Sequence, residues 1–137
     1  MAFEAHARRR YGSALQRIER LREIVYIVDI DVIGRDQPVT VRVELHREPD
    51  YETYGLNSID YPRVYADEGA RSPHRMSDGS LCLYYPGDPD SRRWTADQGL
   101  DELLILTARH LLGEDYWREN GEVWPFEEAE HGYRGLA

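Results

Sequence analysis

One cysteine stands among the 137 residues, Cys82, in the stretch "PHRMSDGSLCLYYP", eight residues after His74. A thiol does chemistry as the thiolate, which a neighbouring histidine, a cation or a helix N-terminus favours. His74, Arg75, Arg92, Arg93 and His131 are the candidates for that help. Asp78, Asp88 and Asp90 oppose it, because a carboxylate close to the sulfur raises the thiol pKa. Leu81 and Leu83 flank the cysteine, and unpaired cysteine is among the residue types most often buried as plain filler. The glycines, prolines and polar residues around it favour exposed, irregular chain instead, where an unused thiol is an oxidation liability. Both readings stand at this level.

Other chemistries find less support. His74, His110, His131 and Cys82 could supply zinc ligands, but no two of them have a tight ligand spacing. His110 and Glu114 form an i,i+4 pair, which most often lies on a solvated helix face. No glycine loop of the phosphate-cradling kind occurs. Trp94, Trp117 and Trp124 read as packing residues. No metal and no cofactor is therefore expected.

The composition narrows the function classes. Seventeen basic residues against twenty-six acidic ones give a net charge of -9, a poor match to nucleic-acid phosphates. No apolar run reaches membrane-spanning length and no leader is evident, so no nucleic-acid or membrane partner and a cytoplasmic location are expected. All seventeen basic residues are arginine. Codon bias explains that, as does the avoidance of amine nucleophiles in a protein that handles activated acyl groups.

The elements that must position these residues follow from periodicity. Residues 5–23 carry Tyr11, Ala14, Leu15, Ile18 and Leu21 at three- and four-residue spacings, which predicts an N-terminal amphipathic helix. "IVYIVDIDVI" and "VTVRVELH", separated by the turn-prone "GRDQP", predict an antiparallel pair with Val39, Val41, Val43 and Leu45 on one face. Residues 48–58 read as a loop, and "YPRVYA" as a short third strand that starts after Pro62. The cysteine segment is too interrupted by Gly79, Pro86, Gly87 and Pro89 to be regular. Thr95 and Gln98 have capping-box spacing before a helix with a stripe of Leu100, Leu103, Leu104, Ala108, Leu111 and Leu112. Gly113 is expected to end or bend it, with a second short helix in "EDYWREN". A single α+β domain over residues 1–137 is the expectation.

Taken together, "HRMSDGSLCLYYP", Trp94, the leucine-rich helix, "YWRENGEVWP" and a late histidine resemble the bacterial ubiquitin-conjugating-enzyme-like family, whose members often act in antiphage systems. The resemblance spans residues 61–132. It implies a ubiquitin-conjugating-enzyme-like fold: N-terminal helix, antiparallel β-meander, irregular active-site segment and C-terminal helices. It implies an acyltransferase in which Cys82 carries a thioester, His74 shapes the active-site loop, Gly79 turns the chain before the cysteine and His131 assists. The sequence departs from the eukaryotic pattern, because proline precedes His74 and no asparagine follows it. The oxyanion-stabilising group is then a backbone amide or a donor such as His131 or Ser80.

The partners implied are an activating enzyme, which consumes ATP, and either a ubiquitin-like protein or the C-terminus of a nucleotidyltransferase. Two other classes compete. A non-catalytic binding module on the same fold predicts an inert thiol, and a stand-alone cysteine hydrolase predicts turnover of small thioesters or peptides without a partner.

Overall fold

A computed structural model describes residues 2–126. His131 lies outside the described residues. The chain runs helix α1 (Ala5–Tyr11), strands β1 (Gln16–Glu19), β2 (Glu23–Ile30), β3 (Val39–His46) and β4 (Arg63–Tyr65), and helix α2 (Gly99–Glu119), with short 3-10 turns between. The four strands form one antiparallel meander in the order β1-β2-β3-β4.

Alternation decides which sheet face is buried. Tyr26, Val28 and Ile30 of β2 meet Val43, Val41 and Val39 of β3 in register, and all six are buried. Leu100, Leu103, Leu104 and Leu111 of α2 pack into the same cluster, with Ala7 of α1 and Trp94. The expected strand pair, the short strand after Pro62 and the irregular cysteine segment all form.

The first helix is shorter than its periodicity predicts. It stops at Tyr11 because Gly12 adopts φ +58°, and residues 16–19 pair with β2 instead. Leu15 still reaches the core, whereas Leu21, in the turn between β1 and β2, is 84% exposed.

The second helix also starts and ends differently from expectation. Thr95 makes no side-chain cap, Gln98 donates from its side chain to the Arg93 carbonyl, and α2 begins at Gly99. The Leu100 amide, one of the helix's unsatisfied donors, is taken by the Phe3 carbonyl at 2.9 Å. Gly113 does not break the helix, which runs on through "EDYWRE" as one element of 21 residues. A Cβ at Gly113 would come within 2.9 Å of the Trp124 ring and 3.0 Å of Phe126. The glycine is therefore there for close approach. Among the described residues, no helix is long and apolar enough to cross a membrane.

Candidate functional site around Cys82

Residues 75–81 form a narrow hairpin-like turn that delivers Cys82 to the edge of the core. Arg75 and Leu81 bridge in antiparallel fashion, the Met76 amide donates to the Ser80 carbonyl at 2.8 Å, and the Gly79 amide closes back on Met76 at 2.9 Å. Gly79 has φ +88°, a conformation other residues adopt only at a cost. The expected role of Gly79 as the turn before the cysteine is met.

Backbone bonds then fix the cysteine itself. The Leu81 amide donates to Val64 of β4 at 2.9 Å, and the Cys82 amide donates to the His74 carbonyl at 3.0 Å. His74 thus holds the cysteine through its main chain, while its ring is buried against Trp124, with centroids 4.4 Å apart at 83°. Trp94 and Trp117 are buried packing residues, as expected, and Trp124 is half-buried on His74.

The thiol is not exposed. Cys82 is only 4% accessible, and the adjoining crevice, lined in part by Tyr61, Arg63, Leu83 and Leu103, holds about 10 Å³, room for about one water molecule. The Gly- and Pro-rich sequence around it suggested the opposite. Its cover comes from β4 and α2, which are remote in sequence, and from Met76, whose Sδ lies 3.1 Å from Sγ. Burial pushes the thiol up to about 12; Asp78 and Glu114 act in the same direction, and the cations Arg63 and Arg75 do not offset them.

Two arginines control the electrostatics of the turn. Arg63 pairs with Asp78 at 3.0 Å and stacks over Tyr51 at 3.8 Å. Despite its partial burial, Asp78 is held below its ordinary pKa by bonds from Ser80 and by Arg63. Ser80 gives its hydroxyl proton to Asp78 at 2.6 Å, so it is committed and not poised as an oxyanion donor. Arg75 points the other way and closes a two-pronged ion pair with Glu114 of α2. Glu114 also pairs with His110 at 3.2 Å. The His110 and Glu114 pair is therefore buried and is not the solvated helix face its spacing suggested.

Of the other sequence candidates, Arg93 binds Asp90 and the Asp88 carbonyl, and with Arg92 it lines a groove of about 550 Å³ that begins at Leu83 and Tyr84 and runs beside α2. They do not join the immediate surroundings of the sulfur. Arg63 was missed by sequence reasoning; only its place at the start of the short strand after Pro62 could have flagged it.

The sequence pattern of the Type II CBASS E2 protein family matches residues 4–132, from the start of α1 to beyond the described residues, with Cys82 inside the match. The chain belongs to that family. No curated protein matches it. No solved structure matches it either. For this CBASS E2 protein the family assigns an E2-like role in bacterial antiphage defence, in a conjugation pathway. The helix, four-stranded antiparallel sheet and C-terminal helix agree with an E2-like fold.

Proposed function

We propose that this CBASS E2 protein carries the C-terminal carboxyl group of another protein as a thioester on Cys82. An activating enzyme, having spent ATP, presents that carboxyl as its own thioester. The Cys82 thiolate attacks the carbonyl carbon, the partner's sulfur leaves, and the proton lost by Cys82 balances the one the departing sulfur gains. In the second step an amine attacks, Cys82 leaves as the thiol and an amide bond forms. The carried protein is a ubiquitin-like modifier or the C-terminal segment of a nucleotidyltransferase.

The observation that carries this reading is the anchoring of the chain's one cysteine, inside the family match, by backbone bonds to β4 and to His74. Arg63 and Arg75 both lower the thiol pKa, so they favour the thiolate as burial is relieved. His74 acts as a positioning residue through its carbonyl, and His131 is an assisting histidine from the tail. The chain has no lysine, so no side-chain amine in it competes for the thioester.

Burial of the sulfur favours one rival, a binding module with an inert thiol. A non-reducing gel separates the two. With the activating enzyme, ATP and the carried protein, an adduct forms that thiol reagents release, and its mass identifies which protein is carried. Absence of an adduct, or an adduct that survives Cys82→Ala, would sink the proposal.

A further inference from the structure

We infer that Met76 is a removable lid on Cys82, a positioning residue that keeps the thiol covered until a movement of this one side chain opens it. The inference rests on the conjugating role proposed for Cys82.

The turn has a firm base and an exposed tip. At the base Arg75 binds Glu114 through two bonds and donates further to the Ala66 and Asp67 carbonyls, at 2.9 and 3.0 Å. Leu81 and Cys82 are tied down by Val64 and His74. At the tip Ser77 and Asp78 are exposed, and Asp78 reaches back to Arg63. Met76 lies between base and tip, half-buried, and the Cys82 thiol donates a hydrogen bond to its thioether sulfur at 3.1 Å.

Opening can be confined to that residue. Methionine is unbranched, with three rotatable bonds and a polarisable sulfur, so it covers a thiol closely and leaves by changing rotamer. None of the backbone bonds that fix Cys82 involves the Met76 side chain. Of the walls, Leu103 of α2 belongs to the hydrophobic core, and Tyr61 and Arg63, before and at the start of β4, are themselves buried. Moving the Met76 side chain breaks the weak bond from the thiol and none of the backbone bonds that hold Cys82. A partner that docks on the exposed tip would shift the lid and meet the sulfur in one event.

The experiment is the alkylation rate of Cys82 by iodoacetamide in the full chain, which needs no partner protein. Met76→Ala is expected to accelerate it at least about tenfold, and Met76→Leu, which keeps the bulk of the cover, to stay within about threefold of the wild type. Urea below the unfolding range supplies the control: reaction through lid movement is nearly insensitive to it, whereas reaction through global unfolding rises with the full unfolding slope. A wild-type rate in Met76→Ala, or a wild-type rate that tracks global unfolding, overturns the lid. If the lid fails while the thioester adduct forms on gels, the conjugating role stands alone. If alkylation behaves as expected and no adduct forms, the conjugating role falls and the lid remains as a property of the fold.

Discussion

Arg75, in the turn before the cysteine, and Glu114, in the last third of α2, close a two-pronged ion pair at 2.9 and 2.7 Å across 39 residues of sequence. The Glu114 side chain is 0% accessible, so the pair is desolvated and depends on good geometry and extra donors, here from His110. Removing one partner leaves the other as an uncompensated buried charge. Glu114→Ala should cost about 3–5 kcal/mol in urea unfolding. A loss below about 1 kcal/mol would show that the pair does not hold the turn to the helix.

The same carboxyl sets an acid limit. Desolvation alone would raise its pKa, but bonds from His110, Arg75 and Ser72 outweigh that and lower it from 4.5 to about 2. A folded pKa below the unfolded one gives stability that is complete above pH 4.5 and lost as pH falls toward 2. The wild type should therefore lose more stability between pH 5 and 3 than Glu114→Gln, measured as the shift of the urea midpoint. Glu4 and Asp78 are also depressed and contribute equally to both proteins, so the difference isolates Glu114. Parallel pH profiles for the two proteins would contradict the assignment.

For the thiol the direction is reversed. Cys82 is pushed up to about 12 when folded, against 9.0 for the free group, so its thiolate is scarce at neutral pH. Iodoacetamide at pH 8 should label the native protein at least about a hundredfold more slowly than the urea-denatured chain. The native rate should keep climbing through pH 10, where the denatured rate levels off. Equal rates would mean that the sulfur is open at rest.

How much of this was legible in the sequence depended on how local the cause was. The alternation of Val39, Val41 and Val43 and the β-branched run of β2 announced the sheet, because strand burial has a period of two and needs no distant partner. The first helix was overread: Leu15 and Ile18 fit a helical stripe, but Gly12 ends the helix and β2 recruits residues 16–19, a pairing that periodicity does not show. Gly79 was readable as a turn glycine next to Asp78. The burial of Cys82 was one of two readings, suggested by its flanking leucines; the cover itself could not be read, since beside Met76 it is assembled from Tyr61, Arg63 and Leu103, distant along the chain. His110 and Glu114 looked solvated for the same reason: their spacing is local, but the Arg75 that lets them be buried is not.

Gly113 gives a last test, on the far side of His74. In a helix interior glycine costs about 1 kcal/mol relative to alanine, so Gly113→Ala would ordinarily stabilise α2. Here the new methyl would stand 2.9 Å from the Trp124 ring and 3.0 Å from Phe126, and those rings must move. Trp124 lies edge-on to His74, whose carbonyl holds the Cys82 amide, so its displacement reaches the cysteine by one intermediate residue. The expected result is an intact helix by far-ultraviolet circular dichroism together with a shifted Trp124 indole N–H resonance and a shifted Cys82 amide resonance. If the indole signal does not move, Trp124 does not sit against the helix at Gly113. If it moves and the Cys82 amide stays in place, His74 does not transmit the change, and its role is confined to the backbone bond it makes.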